Sequence, residues 1–176
     1  MNYATIKNLD IANGPGLRVS LFVSGCTHHC KGCFNPESWD FNYGQEFTEA
    51  TEEEILKLLE NEHIRGLSLL GGEPFEPENQ KVLLPFLVMF HEKFPDKNVW
   101  CYTGFTFEEI IGAGEKKSRA ATDISKEMVS LIDILVDGPY VEALHDVSLK
   151  FRGSSNQRVI DIKETIKQNK IVLYLE

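Results

Sequence analysis

Leu17-Arg-Val-Ser-Leu-Phe-Val-Ser-Gly-Cys26-Thr-His-His-Cys30-Lys-Gly-Cys33 begins as an apolar, β-branched run, breaks at Gly25 and opens into three cysteines. The run predicts a strand over Leu17 to Ser24. Three thiols at i, i+4 and i+7 on the loop behind it predict a metal or redox centre carried at a strand end. No fourth cysteine follows in the loop, so such a centre keeps one coordination position open. An open position is what lets a metal site take up and transform a small molecule.

Outward from this stretch, strands and helices alternate. Thr51-Glu-Glu-Glu54 reads as a capping box opening a helix whose inner face carries Ile55, Leu58 and Leu59. Leu67 to Leu70 reads as a short strand stopped by Gly71-Gly72, and a helix is predicted from about Glu78 to Glu92, offset at Pro85. Val99 to Tyr102 is the next strand. Thr106-Phe-Glu-Glu109 is a second capping box, Ser125 to Leu131 a helix, and Ile134 to Val136 a strand. Arg158 to Ile162 and Ile171 to Leu175 read as further strands. This order predicts an α/β fold of βαβ units around a parallel sheet, in a single domain over residues 1–176. A complete eight-fold barrel takes about 250 residues, so an incomplete, curved barrel open on one side is expected, with an open doubly wound sheet as the alternative. Gly25-Cys26, Gly71-Gly72-Glu73-Pro74, Thr103-Gly104 and Asp137-Gly138-Pro139 each follow a strand. In a parallel sheet they gather at the carboxyl edge, where ligand sites form.

The composition is ordinary, 42% hydrophobic and 26% charged over 176 residues, and a chain of this length buries roughly 70% of its unfolded surface without disulfide staples. Eighteen basic against 27 acidic residues give a net charge of −9. That balance argues against nonspecific nucleic-acid binding and against an anionic membrane surface. The N-terminus has no apolar signal core, and the longest apolar run, Leu83 to Phe90, is far short of the roughly 20 residues of a membrane helix. A reducing cytoplasm is the expected location, where clustered cysteines read as metal or redox sites.

Two metal readings fit the cysteine spacing. A zinc site would recruit His28, His29 or Cys101 as fourth ligand, but zinc motifs usually come as two spaced pairs and no second pair exists here. An iron–sulfur cluster held by three thiolates explains the missing fourth cysteine, and Gly25 and Gly32 suit a loop that wraps a cluster closely. His28 and His29 read most simply as solvated loop residues, and Cys101, in mid-strand, as a small buried hydrophobe.

The CxxxCxxC loop after a strand, followed downstream by Gly71-Gly72-Glu73-Pro74, resembles the radical S-adenosylmethionine superfamily. Asn13-Gly-Pro-Gly-Leu-Arg18, the Trp100 to Gly104 segment, Val136-Asp-Gly-Pro139 and Arg152-Gly-Ser-Ser-Asn-Gln-Arg158 narrow the resemblance to the anaerobic ribonucleotide reductase activating proteins, over nearly the whole chain. The wider superfamily often has an aromatic residue before the third cysteine, where this chain has Gly32; Phe34 is then the nearest ring.

The resemblance implies an incomplete (βα) barrel and a [4Fe-4S] cluster held by Cys26, Cys30 and Cys33. The fourth iron would chelate S-adenosyl-L-methionine, with Gly32, Cys33, Phe34, Gly71, Gly72 and Glu73 around the cofactor. Glu73 would either favour a positive group on the cofactor or hold the turn. The implied reaction is reductive cleavage to a 5′-deoxyadenosyl radical that removes a glycine Cα hydrogen from the large catalytic subunit of anaerobic ribonucleotide reductase. A reduced flavodoxin-like protein is the implied electron donor. The competing expectations are an activator of another glycyl radical protein, of the pyruvate formate-lyase type, and a noncatalytic metal-binding module.

Overall fold

The computed structural model describes residues 1–175. Its strands are β1 (Asn2–Asp10), β2 (Leu17–Val23), β3 (Gln45–Glu46), β4 (Ile64–Gly71), β5 (Asn98–Tyr102), β6 (Ile134–Asp137), β7 (Arg158–Asp161) and β8 (Leu173–Leu175). Its helices are α1 (Glu49–Leu59), α2 (Pro77–Lys93), α3 (Phe107–Ile110), α4 (Ser125–Ser130) and α5 (Ile162–Gln168). All eight strands form one mixed sheet in the order β3-β1-β2-β4-β5-β6-β7-β8.

The expected parallel sheet is present only in the centre. β2, β4, β5 and β6 are parallel neighbours, while β1 and β3 on one side and β7 and β8 on the other run antiparallel. The parallel strands lie side by side in chain order, without the reversal that defines a doubly wound sheet. The four loops of unusual composition follow these four strands, so they share one edge.

Side-chain alternation gives the sheet two different faces. Leu21, Leu69, Cys101, Leu135 and Ile160 point into the main core with Ile55, Leu59, Phe86, Phe90 and Met128 of the helices. Phe22, Leu70 and Tyr102, the next residues along β2, β4 and β5, belong to the other face, where Trp100, Ile134, Val136 and Val159 form a smaller cluster. The helices therefore clothe one side of the sheet and leave the other for the site.

Three local expectations are corrected. The first capping box sits one turn earlier than Thr51: Thr48 is the N-cap, and its N–H donates to Thr51 Oγ1 at 3.2 Å. Thr51 is itself buried, which suits a residue inside the first turn. Helix α2 runs through Pro85 on its exposed side. The expected strand over Arg158 to Ile162 stops at Asp161, which caps α5 by accepting from the Glu164 N–H at 2.9 Å.

The uncovered face carries two fully buried charges near its base. Arg18 donates to Ser68 Oγ (2.7 Å) and to the carbonyls of Leu67 (2.7 Å) and Asn98 (3.2 Å). Asp10 accepts from Ser20 Oγ (2.7 Å), Asn13 Nδ2 (2.5 Å) and the Ala12 N–H (3.0 Å), with Lys7 Nζ at 3.1 Å. Burial alone would raise the Asp10 carboxyl and is the largest single influence, but these partners together bring it down to about 2. A lowered folded-state pKa contributes stability above the unfolded value and loses it as pH falls through the folded one. Relative to Asp10→Asn, the wild type should therefore gain about 2 kcal/mol at neutral pH, and that advantage should fade between about pH 4 and pH 2. Urea titrations of both proteins across that range check it; a gap that does not change with pH would contradict it.

Candidate functional site

A cavity of about 630 Å³ opens at the carboxyl edge of β2, β4, β5 and β6. Cys26, Cys30 and Cys33 line it together with Gly71, Gly72, Glu73, Thr103, Gly104 and Gly138. All four strand-end loops thus meet in one site.

The cysteine loop is built on β2. Gly25, at φ +92°, turns the chain off the strand, in a conformation that costs glycine little. Its N–H donates to the Ser38 carbonyl (2.8 Å) and that of Cys26 to the Trp39 carbonyl (3.2 Å), so the loop folds back on the short turn Pro36–Trp39. All three thiols are free. Burial pushes the Cys26 thiol up to about 12, against the N–H groups of His28 and His29. Burial also raises Cys30, opposed by the Tyr140 main chain. A bound iron centre would reverse that preference, because a coordinating thiol is deprotonated.

The other zinc ligands weighed from the sequence are committed elsewhere. Cys101 is fully buried in the core on the helix side of β5. His29, in the left-handed region at φ +50°, stacks on Trp39 at 4.6 Å. His28 corrects the expectation of a solvated residue: its ring is mostly buried against Phe105, and Nε2 lies 2.9 Å from Glu73 Oε2. Burial, the larger influence, opposes its protonation, but the Glu73 carboxylate outweighs it and the pKa lies above the ordinary value. Among the described residues, no three His, Cys, Asp or Glu side chains are gathered tightly enough for a single ion. Three uncommitted thiols spread over one cavity wall suit a cubane, whose thiolates bind separate irons.

The Gly71-Gly72-Glu73 turn is stitched to this loop. The Gly72 N–H donates to the Val23 carbonyl (2.7 Å) and the Glu73 N–H to the Gly25 carbonyl (2.8 Å). A Cβ on Gly72 would lie 2.7 Å from the Gly25 carbonyl oxygen, and one on Gly71, at φ +107°, would lie 2.7 Å from that of Val23. Both glycines are thus required by backbone contact with β2 and its loop. The Glu73 carboxylate is buried and fully engaged: Oε1 accepts from the Phe75 N–H (2.9 Å) and Thr103 Oγ1 (2.8 Å), and Oε2 from the Gly104 N–H (2.8 Å) and His28. It ties three of the four loops together.

Helix α2 and the residue that precedes it, Glu76, add two anchors that the sequence reading did not single out. Asn79 Nδ2 donates to the carbonyls of Ser24 and Glu73, both at 2.9 Å. Glu76 Oε1 accepts from the Thr27 N–H (2.9 Å) and Oγ1 (2.6 Å). Arg119 Nη2 lies 2.8 Å from Glu76 Oε2, an ionic contact without hydrogen-bond geometry. A buried carboxylate and amide just behind a glycine turn would have been the signal, but the Glu-Pro-Glu-Asn spelling of Glu76 to Asn79 reads as ordinary helix-start chemistry.

The far wall comes from the segment after β6. Arg158 on β7 binds both Asp137 and Glu108, reaching the latter at 2.7 and 3.1 Å, and holds the Glu108 carboxyl below its ordinary range. Tyr140, Arg152, Gly153 and Gln157 line the cavity on this side, and Phe34, 83% exposed, stands at the rim 6.5 Å from the Tyr140 ring. Tyr102 also lines the cavity, with its hydroxyl buried and unpartnered.

The sequence was compared with known proteins. The model of the 4Fe-4S single cluster domain matches residues 12–160. The anaerobic ribonucleoside-triphosphate reductase-activating protein of Haemophilus influenzae is 42% identical over 159 residues, 89% of this chain and 96% of that one. That of Escherichia coli K12 is 42% identical over 161 residues, 90% of this chain and 97% of the relative. The protein of the same name from Enterobacteria phage T4 is 38% identical over 159 residues, 90% and 93%. With the cysteine loop and the glycine turn meeting in one cavity, and with these matches running through nearly all of it, the chain belongs to the family of anaerobic ribonucleoside-triphosphate reductase-activating proteins and carries their 4Fe-4S domain.

Proposed function

We propose that this protein activates the large catalytic subunit of anaerobic ribonucleotide reductase by generating a glycyl radical on it. The observation that carries the reading is that Cys26, Cys30 and Cys33 share one cavity with the Gly71-Gly72-Glu73 turn. The three cysteines would hold a [4Fe-4S] cluster, leaving one iron for S-adenosyl-L-methionine. With both bound and one electron supplied, the site gives methionine and a 5′-deoxyadenosyl radical, which takes the glycine Cα hydrogen.

The chain's own residues bind and orient. Gly71 and Gly72 bring bare backbone to the cavity beside the cysteine loop, where the amino end of the cofactor would lie. Glu73 holds that turn, since its oxygens already accept four hydrogen bonds. Phe34 lines the cavity on the Cys33 side, while Gly32 is outside the lining and faces Tyr140 and Glu142. No side chain is needed as general acid or base. The sequential parallel strands, with helices on one face only, support the incomplete barrel of the radical S-adenosylmethionine type as a single domain. Its uncovered side would admit a substrate loop. A reduced flavodoxin-like donor and a cytoplasmic location complete the reading; no helix among the described residues is long and apolar enough to cross a membrane.

The test is anaerobic reconstitution followed by mixing with the reductase subunit, S-adenosyl-L-methionine and a chemical reductant. A brown protein, one 5′-deoxyadenosine per turnover and a glycyl radical signal in electron spin resonance are expected. A colourless zinc protein would replace this reading with the metal-binding module. A radical formed on pyruvate formate-lyase but not on the reductase would replace the substrate.

A further inference from the structure

The proposed reaction gives the Arg152–Gln157 segment no task, yet it places a cation with spare donors on the cavity wall. Of the carboxylate, histidine and arginine side chains that line the cavity, Glu73 and His28 are bound to each other. Arg152 is the third, and it is half-buried. Among the described residues its side chain has one partner, the Gln157 carbonyl, reached from Nη1 at 3.1 Å. Its remaining N–H groups are open to solvent rather than sealed in the protein.

The backbone on either side of Arg152 is held firmly. Phe151 lies in the left-handed region at φ +58°, a conformation that costs a non-glycine residue about 1–2 kcal/mol. Its ring sits edge-on against Trp100 at 5.2 Å, in the smaller cluster of the uncovered face. Strain of this kind persists where the surroundings enforce it, and it gathers at ligand sites. Beyond Arg152, Gln157 Oε1 accepts from the N–H groups of Gly153 (2.9 Å) and Ser154 (3.1 Å). Gln157 Nε2 donates to the Gly138 carbonyl (3.1 Å) and Asn156 Nδ2 to that of Pro139 (2.7 Å). The segment is moored to Trp100 at one end and to the loop after β6 at the other, with Arg152 between them.

We propose that Arg152 grips the main chain of the reductase's glycine loop, donating to carbonyl oxygens beside the target glycine. The inference rests on the reading of the reductase subunit as substrate. A glycine has no side chain to recognise, so its place in the site is fixed through peptide groups and neighbouring residues. Peptide carbonyls need donors, and the other donors around the cavity are engaged. The Gly72 and Gly104 N–H groups, the Thr103 hydroxyl and the Gln157 amide all have partners within the chain. The guanidinium is a planar fork with N–H groups to spare, and it can meet two acceptor oxygens at once. S-adenosyl-L-methionine is the poorer match. Its sulfonium repels a cation, and its single carboxylate goes to the open iron in that reading.

The experiment is calorimetric titration of the reconstituted protein with the reductase's large catalytic subunit, without oxygen, with S-adenosyl-L-methionine affinity and iron content measured alongside. Arg152→Gln should keep the cluster and the cofactor affinity but bind the subunit about tenfold more weakly, the loss of one charge-assisted hydrogen bond. Arg152→Lys keeps the charge without the fork and should fall between. Lys150→Gln removes an exposed cation of the same loop that lies outside the cavity lining, and should bind as the wild type does. With a subunit that lacks its glycine loop, the wild type and Arg152→Gln should bind equally. Unchanged subunit affinity in Arg152→Gln would overturn the grip, as would a loss that persists with the loop-less subunit or that Lys150→Gln reproduces. A loss of cofactor affinity with subunit binding intact would give Arg152 to S-adenosyl-L-methionine, and a cluster lost from both Arg152 variants would make the residue structural; either result overturns the grip. A wild-type protein that holds cluster and cofactor but binds no reductase subunit would overturn the substrate reading and the grip with it.

Discussion

Cys30→Ala protein, reconstituted without oxygen, should emerge colourless and without stoichiometric iron. The same holds for Cys26→Ala and Cys33→Ala. Each thiol lines the cavity, and none is part of a disulfide. The apoprotein fold should survive, because the loop is held by Ser38, Trp39, Glu73 and Glu76 rather than by its sulfurs. Two thiolates cannot retain a cluster that already leaves one corner to a ligand. Cys101→Ala is the internal contrast. It removes one buried sulfur from the main core, which costs about 1 kcal/mol of stability, and should leave the cluster untouched. A cluster retained by Cys30→Ala, or lost from Cys101→Ala, would contradict the assignment; iron and sulfide analysis with the visible spectrum distinguishes the cases.

Glu73→Ala should be the most damaging substitution that touches no thiol. It leaves the N–H groups of Phe75 and Gly104 and the Thr103 hydroxyl without their acceptor, and releases His28. Buried donors left unpaired cost about 1–3 kcal/mol each, so a loss of about 3–5 kcal/mol is expected after partial relaxation. Glu73→Gln keeps an acceptor for Phe75 and Thr103 but turns an amide N–H₂ toward Gly104, so it should fall between the two. Chemical unfolding of the apoproteins gives the ranking, and cluster content after reconstitution should follow the same order. Stability equal to wild type in Glu73→Ala would mean the carboxylate does not hold the loops together.

Most of the central fold could be read from local signals. β2, β4, β5 and β6 are short apolar runs each ended by glycine or a turn, so the placing of their four loops on one edge followed. β1 was missed because Lys7, Asn8 and Leu9 are exposed and give no alternating pattern; the strand exists through pairing with β2. The two-residue β3 carries no signal of its own, and α5 was hidden by reading Ile162 as the end of a strand rather than the start of a helix. In the site, the cysteines and glycines declared themselves by spacing. His28 did not, because the carboxylate that buries it lies 45 positions away in the chain. Asn156 and Gln157 read as a polar loop for the same reason: their partners lie beyond another strand end.

The one-sided layering has a final consequence. Successive residues of a strand, such as Leu21 and Phe22 or Cys101 and Tyr102, look into opposite halves of the molecule. The sheet is therefore a partition between the part that keeps the chain folded and the part that meets ligands. Repacking among the helices can drift without reshaping the chamber, and the chamber's lining can be retuned without loosening the helical layer. The room for chemistry is the space that a second coat of helices would have filled.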